Sequence, residues 1–197
     1  MDGDDRLAAQ IAFLTEADKL KSVLRASPLC DGSRRENSAE HSWHIALYAL
    51  VLGAEAAPGV SIDRVIRMLL LHDLVEIDVG DVPIHAQGGQ AHGSAATQAA
   101  ERAAAERLFG LLPAEQAAEL LALWQEFEAN DSPDAVFAKS LDRVQPVVQN
   151  IVSGGGSWTE YAVSYPQIVE RVGVKVARGA PRVWDWLDGR VRAFFER

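Results

Sequence analysis

The chain has 197 residues, 48% of them apolar, with 19 Lys and Arg against 28 Asp and Glu, five His and one Cys. That length fits one domain over residues 1–197 burying about 70% of its unfolded surface, so a core can form without a structural metal; the lone Cys30 excludes a disulfide framework or a Cys-rich zinc module and suits a reducing cytoplasm. A net charge of −9 repels a nucleic acid polymer but admits a small anionic substrate, while the longest apolar run, Ile45 to Ala54, is about half a bilayer span and the acidic start MDGDD is unlike a targeting peptide.

Apolar residues recur at helical spacing almost throughout and nowhere alternate in a sustained way, which predicts an all-α domain. Leu7, Ile11, Leu14, Leu20 and Leu24 form one stripe on a first helix from about Asp4 to Arg25. Ser27 to Glu36, with Pro28, Gly32, Arg34 and Arg35, reads as a basic loop. Asn37 followed by Glu40 has capping-box spacing and starts a second helix, which Pro58-Gly59 ends. A third starts near Ser61 and runs through Val65, Met68, Leu69 and His72 towards Ile77. Val79 to Gly93 holds four Gly and one Pro and reads as a long loop, a candidate lid carrying His85 and His92, both expected to be solvated.

Ser94 to Phe109 and Pro113 to Glu128 read as helices, the second with Pro and Glu in its positive first turn. Asp131-Ser132-Pro133-Asp134 announces a sixth helix with Val136, Phe137, Leu141, Val144 and Val148 on one side. Gly154-Gly155-Gly156 is a break, Trp158 to Gly179 has no clear period, and Pro181 to Phe195 aligns Trp184, Leu187, Val191 and Phe195 on a last helix. Trp184, Trp186, Phe194 and Phe195 read as core, with the face of a homodimer as the alternative.

Five features carry possible chemistry: Glu40-His41-Ser42, His72-Asp73, Glu76, Asp142, and the Arg25/Arg34/Arg35 group. Taken alone, His41 reads as a packed core residue, and His44, one turn further on, reads the same way. His72-Asp73 differs, because Met68-Leu69-Leu70-Leu71 implies a buried helix, where an ionised Asp costs several kcal/mol unless paired or metal-bound. Asp142 faces inward beside Leu141, or else pairs with Arg143 or Lys139. Two imidazoles and two carboxylates, if they meet in space, suit a divalent ion such as Mn, Co, Fe, Zn, Ni or Mg. Glu76 falls on the same helical face as His72, where it could take a proton from an attacking water or simply cap the helix.

The order His41, His72-Asp73, Asp142 resembles the HD-domain metal-dependent phosphohydrolases. Arg34-Arg35-Glu36-Asn37-Ser38-Ala39-Glu40-His41-Ser42, then His72-Asp73-Leu74-Val75-Glu76 and Gly80-Asp81-Val82-Pro83, are similar to the branch containing the 5′-deoxynucleotidases. The resemblance covers roughly Leu14 to Asn150, and implies a helical bundle with a metal-site core over about 14–150 and C-terminal helices over 158–197. It implies that His41, His72, Asp73 and Asp142 hold one divalent metal, that Glu76 is the catalytic acid, that Asp81 contacts a nucleotide sugar hydroxyl, and that Arg25 binds phosphate; Arg34 is a further substrate-binding candidate. Ala26 stands where the bacterial enzyme has a Trp. The activity so implied is removal of the 5′-phosphate of (deoxy)nucleoside monophosphates by a metal-activated water. The alternatives are hydrolysis of another small phosphomonoester, or metal and nucleotide binding without turnover.

Overall fold

A computed structural model describes residues 3–86 and 94–197. Four of the longer helices begin where a side chain satisfies a free N–H group. Helix α2 (Ser38–Leu52) opens on the expected capping box, the Asn37 side chain accepting from Glu40 N while the Glu40 carboxylate accepts from Asn37 N. Ser61 caps α3 (Ile62–Leu71), Ser94 caps α5 (Ala95–Phe109) and Ser132 caps α7 (Pro133–Val152). Between α5 and α7, α6 (Ala114–Ala129) ends at Asn130, whose φ of 55° is a left-handed stop.

The N-terminal third departs from the expected pattern. Helix α1 (Gly3–Ala17) ends eight residues before Arg25, because Leu7, Ile11 and Leu14 stay exposed and only Phe13 is buried. No core therefore holds the stripe. A 3-10 turn over Asp18–Ser22 sinks Leu20 instead, and the chain then runs as strand β1 (Leu24–Pro28) against β2 (Arg35–Asn37). The pair is antiparallel, with Leu24 opposite Asn37 and Pro28 opposite Arg35. The expected basic loop is thus largely a hairpin turn, closed by Leu29 N donating to Arg34 O at 2.9 Å. Strands this short cannot show a sustained alternation, so periodicity passes over them.

The third helix also ends early. After Leu71 the chain tightens into a 3-10 turn over His72–Val75 and continues as the short α4 (Glu76–Val79), which stops at Gly80 with φ 74°. Helix α7 contains Pro146, which lacks the N–H that would bond the carbonyl of Asp142 one turn back. The aperiodic stretch resolves into α8 (Gly156–Glu160), α9 (Tyr165–Ile168), a wider π-type turn over Val169–Gly173 and α10 (Val174–Gly179), before α11 (Pro181–Phe195). At Gly156 a Cβ would stand 2.7 Å from Pro28 Cδ and 2.8 Å from Asn150 Oδ1, so only glycine lets α8 approach the hairpin.

Two apolar clusters result. One joins α2, α3, α7 and the C-terminal helices around Ile45, Met68, Phe137 and Leu141; the other joins α1, α5 and α6 around Phe13, Leu108, Phe109 and Trp124. Leu71 packs against both, so the His72–Val75 turn lies at their junction, fastened there by Trp124 Nε1 donating to His72 O at 3.1 Å. Trp184, Phe194 and Phe195 pack on the first cluster as expected, with Trp158 stacked on Phe195; Trp186 does not, and remains 54% exposed. Among the described residues no helix is long and apolar enough to cross a membrane.

Candidate active site

Helix α2, the 3-10 turn and α7 each bring part of one cluster to the junction. His41 Nε2 lies 3.1 Å from Asp142 Oδ1 and 3.9 Å from Asp73 Oδ2. His72 Nε2 lies 2.9 Å from Asp73 Oδ1 and 3.7 Å from Asp142 Oδ1. The ligand atoms of His41, His72 and Asp73 all fall within 4.8 Å of one another, and both rings are buried.

The outer nitrogens decide what the inner ones offer. His41 Nδ1 stands 3.0 Å from Gln145 Oε1, and His72 Nδ1 stands 2.9 Å from the Leu69 carbonyl. Both partners only accept, so each Nδ1 carries the hydrogen and, on a neutral ring, each Nε2 turns a lone pair towards the carboxylates. His72 Nε2 is buried without a hydrogen-bond partner. Lone pairs facing anions need a cation between them, and two imidazoles with two carboxylates are a donor set that fits a divalent metal. When no metal neutralises them, the carboxylates hold a proton there instead. Burial pulls the His72 pKa down, but Asp73 and Asp142 outweigh it and raise it to about 10. For His41, burial and the Arg25 charge pull down, and the Asp142 and Glu36 carboxylates more than compensate. Asp73 and Asp142 stay ionised despite burial, held well below the usual carboxylate range, Asp73 by His72 and Arg25 and Asp142 by Arg143 and the two His.

Strand β1 adds Arg25, the counter-ion of the opposite wall. Its Nη1 is 2.7 Å from Asp73 Oδ2, 3.6 Å from Glu76 Oε1 and 3.8 Å from Asp81 Oδ1. Burial and the Asp73 charge push the Glu76 pKa well above the ordinary carboxylate value, against the smaller opposing pull of Arg25. Ser38 Oγ donates to Glu76 Oε2. Burial likewise raises Asp81, which also accepts from the Ala26 backbone N–H.

Arg25, His72, Asp73, Glu76, Asp81 and Asp142 line a cavity of about 400 Å³ together with Ala26, Trp124, Trp158 and Tyr161, with His41 buried behind them. Arg34 is not among them: its guanidinium grips Glu40 through two bonds of 2.8 and 2.6 Å, at an exposed site on the rim of α2. His85, expected in solvent, is buried in the cavity wall with Nδ1 3.3 Å from Arg171 Nη1, and burial, Arg171 and Arg143 lower its pKa to about 4. His92 lies outside the described residues. His44 packs between Trp43 and Tyr48 and meets Gln145 at 3.2 Å, the structural setting expected of it.

Sequence reasoning missed the polar groups behind the His41 ring. Glu36, 1% exposed, has one oxygen accepting from Gln145 Nε2 at 2.7 Å and Gln149 Nε2 at 2.9 Å, while the other is 3.5 Å from His41 Nδ1. Gln145 and Gln149 stand three and seven residues after Asp142 on an otherwise apolar helical face, a polar stripe that could have been read. Glu36 gave no such signal inside a loop of charges.

Residues 17–184 match the family model of the HD domain, and the chain belongs to the HD-domain family. It is similar to the 5′-deoxynucleotidase HDDC2 of Bos taurus, 30% identical over 142 residues covering 71% of this chain; the chain spans 65% of that relative's length. The crystal structure of a predicted metal-dependent phosphohydrolase from Magnetospirillum magnetotacticum is 46% identical, with a TM-score of 0.89 over 98% of this chain and 96% of the other. The PH0347 protein of Pyrococcus horikoshii shares the fold at 20% identity, with a TM-score of 0.67 over 91% of this chain and 99% of its own.

Proposed function

We propose that the protein is a metal-dependent phosphomonoesterase that removes the 5′-phosphate from nucleoside monophosphates, deoxynucleotides foremost. The observation that carries this reading is the meeting of His41, His72, Asp73 and Asp142, the last three of which line a cavity that Glu76 and Asp81 also line, both with raised pKa. The names of the HDDC2 and Magnetospirillum relatives support it.

His41, His72, Asp73 and Asp142 would hold the metal, which supplies Lewis acidity to the phosphoryl group and acidifies water at neutral pH. The chain's own residues do the rest. Water attacks phosphorus, the bond from phosphorus to the ester oxygen breaks, and Glu76 gives its proton to the departing oxygen; the proton lost by the water then restores Glu76. Ser38 fixes the carboxyl in the rotamer that faces the cavity. Arg25 keeps Asp73, Glu76 and Asp81 in register, and Asp81 is left facing the cavity to meet a sugar hydroxyl.

The test is phosphate release from ribo- and deoxynucleoside monophosphates and unrelated phosphomonoesters, after metal stripping and restoration of single divalent metals. Deoxynucleotides should rank first, and Asp73→Ala should abolish both metal binding and turnover. Turnover confined to other esters would change the substrate, and none with any metal would leave a binding protein.

A further inference from the structure

The polar groups behind the His41 ring take no part in the reaction proposed above, yet they are among the most enclosed in the molecule. Glu36, His41, Gln145 and Gln149 are each 2% exposed or less. Glu36 comes from β2, and the two glutamines stand one turn apart on α7, the helix that also carries Asp142. A carboxylate only accepts, so both amides turn their NH2 groups to Glu36 Oε1, Gln145 at 2.7 Å and Gln149 at 2.9 Å. His44 acts on the same amide: burial lowers its pKa, and the Nδ1 of the neutral ring accepts from Gln145 Nε2 at 3.2 Å. With its nitrogen engaged twice, the Gln145 amide has its oxygen left for His41 Nδ1, at 3.0 Å.

The opposite amide orientation would set Gln145 Oε1 against a carboxylate oxygen with no hydrogen between them, and would point the NH2 group at His41 Nδ1. That nitrogen would then have to accept. The hydrogen of the neutral ring would move to Nε2, the atom 3.1 Å from Asp142 Oδ1, and Nε2 would have no lone pair for a cation. Glu36 Oε2 is buried without a hydrogen-bond partner, 3.5 Å from the same His41 Nδ1. An unpaired buried oxygen costs stability, but in that place its charge faces the Nδ1–H and makes Nε2 a stronger donor to a metal. His72 is held differently, its Nδ1 donating to the Leu69 carbonyl.

We infer that Glu36 is a positioning residue of the metal centre, acting through Gln145 to keep the His41 hydrogen on Nδ1 and the Nε2 lone pair facing the cluster. Gln149 holds the carboxylate and His44 the amide in that arrangement. This rests on the metal-binding part of the phosphomonoesterase reading and is independent of the substrate.

The experiment compares the wild type, Glu36→Gln and the exchanged pair Glu36→Gln/Gln145→Glu, each stripped of metal and titrated with cobalt(II) in competition with a chelating dye. Glu36→Gln keeps the size of the side chain but removes the group that orients the amide, and cobalt affinity should fall about 10–100-fold. The exchanged pair returns a carboxylate to His41 Nδ1 and should recover most of that loss. Proton NMR of the cobalt-loaded protein reads the ring itself, because a His bound through Nε2 shows its Nδ1–H as a hyperfine-shifted, exchangeable signal. In Glu36→Gln the His41 signal should shift or exchange away while the His72 signal stays. Thermal melts of the metal-free proteins report folding separately, and should Glu36→Gln not fold, the exchanged pair carries the test with cobalt affinity near that of the wild type. Wild-type affinity with an unmoved His41 signal in folded Glu36→Gln overturns the inference, as does a folded exchanged pair that binds no cobalt. A wild type that binds no cobalt removes both this inference and the metal reading. Glu36-dependent cobalt binding in a protein that turns over no phosphomonoester removes the phosphatase reading and leaves Glu36 its role.

Discussion

The two walls of the cavity hold charge in different ways. On the β1 and α4 side, Arg25 sits among Asp73, Glu76 and Asp81, hydrogen-bonded to Asp73 and with its Nε buried and unpartnered. On the α7 and α10 side, Lys139, Arg143 and Lys175 line the cavity beside Glu101, Glu128 and Asp142, and Lys175 is exposed. The first wall is an enclosed ionic cluster and bears on the protein's stability; the second is more open, with Lys175 exposed. Cations within one pocket therefore differ in what their loss costs the fold.

The largest expected effect is on stability. Arg25→Ala leaves three carboxylates without their shared cation, and removing one partner of a buried ionic cluster costs about 3–5 kcal/mol. Urea unfolding of the metal-free protein should show that loss, whereas Lys175→Ala should stay within about 0.5 kcal/mol of the wild type. Equal losses in the two variants would erase the distinction between the walls. Next in size is Glu76→Gln, which removes the proton donor but none of the four metal-facing groups. Loss of a general acid costs about 10²–10⁴ in rate, so kcat should fall by that factor while metal affinity, read by dye competition, is kept. A parallel loss of metal would move Glu76 into the ligand set. Smaller again is Asn37→Ala, which removes the cap that starts α2 four residues before His41; about 1 kcal/mol of stability should go, with metal affinity weakened only if fraying reaches His41.

How much of this was legible in the sequence depends on the range of the forces involved. The cap at Asn37 and the helix starts at Ser61, Ser94 and Ser132 are local chemistry, and they stand where the side chains put them. The Asp73 argument also survives, since a run of Leu before a carboxylate implies burial, and the buried carboxylate has its partners. Arg34 could not be told from Arg25 by composition. The hairpin register puts one on the rim against Glu40 and the other inside, and that register depends on contacts across the strands. Leu7, Ile11 and Leu14 have helical spacing and do form a helix, but spacing does not say which side is covered, and theirs is not. His85 looked solvated amid glycines; it is Arg171, 86 residues away in sequence, that meets it in the wall.

The smallest effect sharpens the comparison through pH. Glu101 on α5 faces the same cavity, and burial and the Glu128 charge lift its pKa to about 7, with Lys139 pulling the other way. A carboxyl group whose folded pKa is raised stabilises the fold fully below its unfolded value, near 4.5, and that contribution fades as pH rises through about 7. The group is only partly buried, so solvent screens the effect. Stability of the wild type should therefore carry a shallow downward component between about pH 4.5 and 7 that Glu101→Gln removes, measured as the difference between the two urea midpoints across that window.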